Sequence, residues 1–358
     1  MKRVGVLGGT GEIGKRTVEV LKKEYPVIAS YYSRYEKSSE NCVFTRVDIA
    51  DTEAVRHFCG QCDIIVNCGG ASFLNGEKVA RIASQLRIPY VDPSGEAFLE
   101  TKLSDIKEEN VFVLSSGYFP GMSGLLMRHI CESFDIPEKI CGLSVSEETP
   151  SQSAIEDFIL TNLSGFGVAL NYYDNGYLRR DERERFEIIR NKGYRFQNYL
   201  TVETERIARK YALQKANWYN TSFGEEIIQK LQMAVIRLKS GGEGYREIVG
   251  EVIEIFRRNL KDRRQFTYIK IEGQGLSGNK RLVRKAEMTS DCSSEISAII
   301  AAYAVKSLLS APLKNGIYYA MDIISSEALI EDMDGLNARL AICETQERSE
   351  DECDEGEI

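Results

Sequence analysis

Short apolar runs alternate with amphipathic stretches along the chain up to residue 120. Six of these runs have the length and composition of strands, and the segments 53–59 and 76–86 between them have the pattern of helices. The runs are Val4–Leu7, Val27–Tyr31, Val43–Val47, Ile64–Cys68, Pro89–Val91 and Val111–Ser115. Alternation of strand and helix predicts a parallel sheet covered by helices. Ligands of such sheets bind at the carboxyl ends of the strands.

The pattern changes after Pro120 and Gly121. The periodicity predicts helices over 125–134, 153–160 and 293–309, and a strand over 140–146. Residues 180–262 are heavily charged, and we expect them to be mostly helical. Segments 266–272 and 281–288 are predicted to form a β-hairpin around a glycine-rich turn.

Composition limits the possible partners. The 358 residues suggest about two domains, and 43% of them are hydrophobic, enough for a sizeable core. The net charge of −8 is concentrated at the C-terminus, since 344–358 hold eight acidic residues and one arginine. The rest of the chain has 46 acidic and 45 basic residues, so no nucleic-acid partner is expected. The tail itself is expected to be disordered.

Two further features indicate a cytoplasmic protein. No apolar run approaches the roughly 18 residues of a membrane span, so no membrane partner is expected. No signal peptide fits before the first strand. We therefore expect the nine cysteines to be reduced thiols, as is usual in the cytosol.

A glycine cluster follows the first strand and precedes a helical stretch. The cluster is Gly8, Gly9, Thr10, Gly11, Glu12, Ile13 and Gly14. Strand, glycine turn and helix are the context of a dinucleotide-binding fingerprint, in which the helix N-terminus holds the pyrophosphate. The same residues nearly match a P-loop, but Arg16 stands where the magnesium-binding Ser or Thr is required.

The second predicted strand indicates which dinucleotide binds. An acidic residue after this strand would hold the ribose hydroxyls of NAD, but the chain has Ser33 and Arg34 there and no acid until Glu36. Arg34 can pair with a 2′-phosphate, and Ser33 can add a hydroxyl. We therefore expect NADP, with NAD possible.

Other features of the sequence are weaker indications of a functional site. Cys59 and Cys62 form a CxxC that is a redox pair or two incidental thiols. With only two histidines in the chain, no metal site is expected. Tyr211 and Lys215 match the YxxxK dyad of short-chain reductases, although this spacing arises readily by chance among eighteen tyrosines. Arg179 and Arg180 are candidates for binding a substrate carboxylate, although two adjacent arginines are more often solvated.

Four stretches together resemble the saccharopine dehydrogenase-like NAD(P)-dependent oxidoreductases. They are the glycine cluster with Ser33 and Arg34, and the segments 63–70, 90–96 and 116–126. The resemblance implies an α/β fold with a Rossmann-type doubly wound parallel sheet and a second α+β domain with a mixed sheet. We expect the Rossmann domain over 1–122 and the substrate and dimerisation domain over 123–290. Residues 291–343 would return toward the Rossmann domain, and 344–358 would form the acidic tail.

The resemblance also implies roles for individual residues. Asp48 and Ile49 would border the adenine, and Asn67, Cys68, Gly69 and Gly70 would border the nicotinamide ribose. Gly95, Phe119, Ser153 and Asp157 would face the substrate. Tyr118 is the first candidate for the proton donor, or else only an aromatic wall of the pocket, with Asp92 and Glu96 as alternative donors.

The expected activity is imine reduction or reductive amination of an amino-acid-derived small molecule by a homodimer that uses NADP. Two alternatives remain open at this point. One is a non-catalytic NADP-binding sensor, and the other is a carbonyl reductase of the short-chain type based on Tyr211.

Overall fold

Two β-sheets organise the protein. The computed structural model describes residues 2–162, 167–240, 244–333 and 338–346. The first sheet is wholly parallel and has seven strands, and the second is mixed and has ten. This confirms the predicted α/β class with a Rossmann-type sheet and a second, mixed sheet.

The first sheet contains all six strands predicted from the N-terminal pattern. They are β1 (Val4–Leu7), β2 (Val27–Tyr31), β3 (Cys42–Arg46), β4 (Ile64–Asn67), β5 (Tyr90–Val91) and β6 (Val111–Leu114), joined late in the chain by β16 (Gly316–Tyr319). The spatial order is β16-β6-β5-β4-β1-β2-β3. The chain runs from β1 to β2 and β3 on one side of β1, and then crosses to β4 on the other side. The crevice at the carboxyl end of β1 is therefore the expected ligand position.

Helices cover both faces of this sheet. They include α1 (Glu12–Leu21), α2 (Thr52–Cys59), α3 (Ser72–Gln85), α4 (Ala97–Lys102) and α5 (Met122–Glu132). The strands β1, β2, β4, β5 and β6 are almost fully buried, whereas the edge strands β3 and β16 are partly exposed. Val4, Ile64 and Phe112, for example, have no exposed surface. Continuous apolar strands are typical of a parallel sheet with both faces covered.

The second sheet follows α5. Its strands are β7 (Ile136–Glu147), β8 (Gly167–Ala169), β9 (Asn171–Asp174), β10 (Tyr177–Arg180), β11 (Arg185–Ile189), β12 (Lys192–Thr201), β13 (Lys215–Thr221), β14 (Phe266–Ser277), β15 (Lys280–Ser290) and β17 (Ala338–Gln346). The main path runs β10-β9-β13-β7-β14-β15-β17, and β12 pairs with β13, β11 and β8. β13 pairs with β7 in parallel, and the other pairs are antiparallel.

The prediction that 180–262 are mostly helical was wrong for its first half. β11, β12 and β13 lie there beside α7 (Val202–Lys210), and only α8 (Glu225–Lys239) and α9 (Tyr245–Asn259) fill the remainder with helix. In β12, the buried Tyr194, Phe196 and Asn198 alternate with exposed residues. The buried residues therefore lie on one face of a strand, whose side-chain period is two.

The helices α8 and α9 form a hairpin inserted between β13 and β14. They pack with α6 (Gln152–Asn162) around their own apolar cluster, which includes Ile155, Ile159, Ile227 and Val252. This three-helix unit stands at the side of the second sheet.

The last part of the chain connects the two sheets. The helix α10 (Ser293–Ser310) packs on α1, and β16 then pairs with β6 before α11 (Ala320–Ile323) and α12 (Ser326–Asp332). β17 returns to the second sheet and extends to residue 346, so the first three residues of the expected tail form a strand. Residues 347–358 lie outside the described residues. Among the helices described, none is long and apolar enough to cross a membrane.

Candidate active site

A cleft of about 890 Å³ separates the carboxyl edge of the first sheet from the second sheet. The first sheet contributes Ile13 of the glycine loop, Pro93 and Ser94 after β5, and residues 118–120 after β6. The opposite wall is polar and comes from the second sheet: Ser144, Ser146, Gln197, Asn198, Tyr199, Asn220, Thr221 and Ser222 line it. α6 and the start of α10 close the sides through residues that include Asp157 and Ser297.

The glycine loop is a tight turn that tolerates no side chain at two positions. Gly8 has a φ of +72°, and a Cβ there would lie 2.4 Å from the carbonyl oxygen of Cys68. A Cβ on Gly14 would lie 2.1 Å from the carbonyl oxygen of Gly8. The backbone N–H of Gly8 donates to Ser30 Oγ at 2.8 Å, and that of Gly11 donates to the Gly8 carbonyl at 2.9 Å. No side chain therefore covers the backbone of this turn at the end of β1, and a pyrophosphate can approach it closely.

Among the helices α1, α3, α5 and α10, three have a carboxyl group of the protein at their N-terminus. Asp157 accepts the backbone N–H of Phe73 in α3. Glu148 accepts the N–H of Ser293 at the start of α10, at 2.7 Å. Glu203 accepts the hydroxyl of Ser123 in the first turn of α5, at 2.5 Å.

The fourth helix, α1, has a different N-terminus. Its cap is Gly11, and no side chain bonds to that end within the described part of the chain. Glu12 turns away instead, since its carboxylate binds Arg16 at 2.7 Å and Lys15 at 3.2 Å. Free N–H groups and the positive end of the helix dipole make this position an anion site. The glycine turn and this helix end together fit the pyrophosphate of a dinucleotide.

The residues expected to hold the adenosine end follow three adjacent strands. Ser33 and Arg34 are exposed just beyond β2, and Thr10 lies in the turn beside them after β1. After β3, Asp48 accepts the backbone N–H of Ala50 at 2.9 Å. The Ile49 side chain reaches within 2.6 Å of the position of a Cβ on Gly69. The structure therefore brings these candidates to one edge of the sheet, with Arg34 free to face solvent.

The segment after β4 lies against the glycine loop. Asn67 is buried; its Nδ2 donates to the Tyr90 hydroxyl at 2.9 Å, and its Oδ1 accepts from the Gly69 N–H. Gly70 has a φ of +73°, and burial raises the pKa of the Cys68 thiol to about 12. The hydrogen bonds of Asn67 fix the shape of the segment 67–70. This segment presents mostly backbone atoms to the glycine loop.

Asp92 does not suit the role of proton donor. The carboxylate is fully buried and accepts hydrogen bonds from five groups: Tyr90 Oη at 2.5 Å, Gly95 N at 2.7 Å, Ser72 Oγ at 2.8 Å, Ser94 N at 2.9 Å and Asn67 Nδ2 at 3.4 Å. With its lone pairs occupied, Asp92 fixes the loop after β5. Gly95 is part of this loop and is buried within it, where a Cβ would lie 2.6 Å from Leu99.

Glu96 also fails as a proton donor to the cleft. It is 1% exposed, neither carboxyl oxygen has a hydrogen-bond partner in the described structure, and it does not line the cleft. Burial, and then the charge of Glu203, raise its pKa well above the usual range. Glu96 is therefore a neutral carboxyl group in the interior beside α7.

Tyr118 is better described as a wall than as an acid. Its ring lines the cleft, but its hydroxyl lies 2.5 Å from Thr267 Oγ1 in β14 and is buried. Burial raises the pKa of this hydroxyl far above its usual value, which weakens it as a proton donor. The neighbouring Phe119 stacks on Trp218 with ring centroids 5.1 Å apart. Tyr118 and Phe119 both line the cleft and give it an apolar side.

Asp157 is the carboxyl group that the cleft places in a position to exchange a proton. Burial raises its pKa to about 7, although the backbone N–H groups of Phe73 and Ser72 oppose this shift. Ser153, its companion in the sequence-based prediction, does not line the cleft; its Oγ lies 3.2 Å from Ser151 Oγ, and Ala154 faces the cleft instead.

Sequence reasoning missed the polar wall. Ser144 and Asn220 on adjacent parallel strands are 3.3 Å apart, and Asn198 on β12 binds Asn217 at 3.0 Å. These residues lie on or beside strands, two of which fall in the segment predicted to be helical. The alternation of the aromatic Tyr194 and Phe196 with the polar Arg195 and Gln197 in β12 was the signal that could have placed this strand.

No lysine or arginine is among the described residues that line the cleft. Arg179 lies on the exposed β10 and pairs with Asp174 at 3.5 Å, outside this lining. The expected binding of a substrate carboxylate by Arg179 therefore finds no support in its position.

The two remaining motifs lie away from the cleft. Cys59 and Cys62 are buried in the core on one side of the first sheet, and burial raises the pKa of each thiol to about 12. The Tyr211 hydroxyl donates to Glu132 at 2.6 Å, and Lys215 lies over the ring of Tyr172. Neither side chain lines the cleft, so a mechanism based on Tyr211 has no structural support.

Comparison with known proteins addresses the fold and the first domain. Residues 4–88 match the model of the NAD dependent epimerase/dehydratase family. Saccharopine dehydrogenase (L-Glu forming) from Saccharomyces cerevisiae superposes over 96% of this chain and 100% of its own, with a TM-score of 0.64 and 11% identity. The chain has the saccharopine dehydrogenase fold. The resemblance inferred from four stretches of sequence is confirmed at this level, and the family match supports a nicotinamide dinucleotide as cofactor.

Two further solved structures match with lower TM-scores. DAP dehydrogenase from C. glutamicum aligns over 93% of this chain and 98% of its own, with 11% identity and a TM-score of 0.47. Uronate dehydrogenase from Agrobacterium tumefaciens aligns over 26% of this chain and 41% of its own, with 25% identity and a TM-score of 0.25. No curated protein sequence matches the chain.

Proposed function

We propose that the protein is an NADP-dependent oxidoreductase that acts on a C–N bond. The observation that carries this proposal is the cleft itself. One end is formed by Ile13 of the glycine loop, and the far wall offers hydroxyl and amide groups to a substrate. A dinucleotide whose pyrophosphate lies on α1 would extend its nicotinamide toward this cleft.

The preference for NADP rests on Arg34 and Ser33. Both are exposed just after β2, where a bound adenosine ribose would lie. A guanidinium can make two parallel hydrogen bonds to a phosphate, and such charge-assisted pairs are the strong ones. No carboxylate follows β2 before Glu36 to select the ribose hydroxyls of NAD.

A bound nicotinamide dinucleotide supplies or accepts the hydride. The protein must then manage one proton at the substrate nitrogen, which gains it when an imine is reduced and loses it when an amine is oxidised. Asp157 is the group we assign to this proton. It lines the cleft, and its pKa of about 7 allows both protonation states near neutral pH. Tyr118 and Phe119 would hold the reacting atoms from the apolar side.

Reduction of a simple cyclic imine tests the proposal. Purified protein is titrated first with NADPH and NADH by calorimetry, and then assayed for NADPH consumption with 1-pyrroline and for NADP⁺ reduction with simple amines. We expect NADPH to bind more tightly than NADH and to be consumed only when the imine is present. Absence of binding by both dinucleotides would overturn the proposal. Binding without hydride transfer to or from any of these compounds would favour a sensor instead.

A further inference from the structure

A second cavity, an apolar groove of about 490 Å³, lies between α6 and α8. Its walls are Phe158 and Ile159 of α6 and Ile228, Leu231, Val235 and Ile236 of α8. This groove is part of the three-helix unit formed by α6, α8 and α9.

The groove and the candidate active site share a wall. Phe158 and Ile228 line both cavities, so the apolar groove lies directly beside the polar cleft. Phe223, which lines the cleft, packs edge-on against Phe158 with ring centroids 5.5 Å apart and against Phe256 of α9 at 6.0 Å. This aromatic cluster fixes the position where the two cavities meet.

The groove has large apolar side chains that are exposed to solvent. Ile236 is 62% exposed and Ile228 is 39% exposed, although α6, α8 and α9 have a separate buried core. A cluster of exposed large apolar side chains beside a cleft is typical of a binding surface. Because the groove lies beside the cleft, a ligand with a polar end in the cleft can place an apolar end in the groove.

The charges around the cleft indicate the head group of that ligand. The lining residues in the described ranges include the carboxylates of Asp157 and Glu184 but neither lysine nor arginine. Glu148 and Asp157 already occupy the N-termini of α10 and α3, so these helix ends offer no place for a ligand carboxylate. A cationic or neutral amine is therefore favoured over a carboxylate.

We propose that the substrate is an amphipathic amine, with the reacting amine or iminium group in the cleft and an extended alkyl chain in the groove between α6 and α8. This inference rests on the proposed function, and it replaces the expectation of an amino-acid-derived substrate. In the oxidation, hydride leaves the carbon attached to nitrogen for NADP⁺, one proton leaves the nitrogen for Asp157, and an imine results. Reduction is the reverse.

Binding of a homologous amine series tests this inference without requiring turnover. The dissociation constants of n-butylamine to n-decylamine are measured by calorimetry with NADP⁺ present and below micelle formation. Each added methylene should tighten binding about fourfold until the groove is filled. Decanoate should bind at least roughly tenfold more weakly than decylamine, because it would meet Asp157 without a cation. Equal affinity along the series, or equal affinity for decanoate, would refute the proposal.

A double variant locates the alkyl chain. Val235→Ser with Ile236→Ser should remove most of the chain-length dependence while leaving butylamine affinity unchanged, since both side chains line the groove and neither lines the cleft. The control is Ile342→Ser, whose side chain is 46% exposed on β17 and far along the chain from the groove. Retention of the full chain-length dependence in the double variant would refute the assignment.

Sedimentation of the same proteins separates this inference from a subunit interface. If the unsubstituted protein is a dimer and the double variant is a monomer, a second copy covers the groove and the inference fails. Failure of the proposed function would give a different result from failure of this inference. In that case NADP⁺ would not bind, or no amine would be oxidised even though amine binding depends on chain length as expected.

Discussion

The carboxylate of Asp157 on α6 accepts the backbone N–H of Phe73 at the start of α3, at 2.9 Å. This contact joins the second domain to the first at the edge of the cleft. Buried there, Asp157 has a pKa of about 7 instead of the usual value near 4. One residue thus links the position of the three-helix unit to the protonation state of the candidate active site.

Replacement of Asp157 by asparagine should lower kcat for hydride transfer by about 10²- to 10⁴-fold, the usual contribution of a general acid or base. Imine reduction needs the protonated form, so its rate in the unsubstituted protein should fall as pH rises through about 7. Amine oxidation needs the ionised form and should show the opposite dependence. Both dependences should disappear in the variant when initial rates are measured from pH 5 to 9.

Glu156→Gln is the matched control for this experiment. Glu156 is the neighbouring carboxylate on α6, but it binds Gln152 at 3.0 Å and lies 3.5 Å from Arg246, away from the cleft. It should keep the full pH dependence and move its midpoint only slightly to lower pH, because the charge of Glu156 is a minor cause of the raised pKa of Asp157. A variant at Asp157 that keeps the full pH dependence would show that another group moves the proton.

Replacement of Gly14 by alanine should weaken NADPH binding roughly tenfold or more, because the added Cβ would lie 2.1 Å from the Gly8 carbonyl oxygen. Relief of this clash must move the loop that carries the free N–H groups. Gly250→Ala on α9 is the control, since nothing lies within 4 Å of its added Cβ. That change should leave NADPH affinity unchanged and stabilise the helix by about 0.5–1 kcal/mol. Calorimetric titration and thermal unfolding measure the two effects.

Replacement of Arg34 by alanine should weaken NADPH binding about 10- to 100-fold, the range of a lost hydrogen bond to a charged group. NADH affinity should change little, because NADH lacks the 2′-phosphate. Lys37→Ala, another exposed cation on the same loop, is the control. Equal loss of both dinucleotides in the Arg34 variant would place its contact elsewhere than on the 2′-phosphate.

The parallel sheet could be predicted from sequence because its strands carry local information. Val4–Leu7 and Val27–Tyr31 are continuous apolar runs bounded by turns, and the structure gives the same bounds. The position of the glycine loop followed, since it depends only on the strand before it and the helix after it. Such features need no knowledge of distant contacts.

The remainder of the site depends on contacts between distant parts of the chain. The five donors around Asp92 come from Asn67, Ser72 and the segment 90–95, and Thr267 reaches Tyr118 across 149 residues of sequence. Sequence alone therefore could not distinguish a satisfied buried carboxylate from a proton donor. β12 and β13 were missed for a different reason, since the many charges of the segment 180–262 favoured a helical prediction and obscured the period of two in β12.

Burial of carboxyl groups beside the cleft predicts how stability depends on pH. Glu203 has no exposed surface, and burial raises its pKa to about 7 even though Ser123 and the backbone of α5 oppose this shift. A raised pKa means that the folded state binds the proton more tightly than the unfolded state. Its contribution to stability is therefore fully present below the unfolded pKa near 4.5 and is lost as pH rises through about 7.

The free energy of unfolding should accordingly be larger at pH 5 than at pH 8. For Glu203 the difference is on the order of 3 kcal/mol at most, at about 1.4 kcal/mol for each unit of pKa. Glu203→Gln should make the dependence shallower when urea unfolding is followed at several pH values, although Glu96 and Asp157 will maintain part of it. Glu205→Gln, on the same helix but paired with Arg209 at 2.7 Å, should retain the original slope. If the Glu203 variant also retains that slope, Glu203 is ionised in the folded protein at neutral pH.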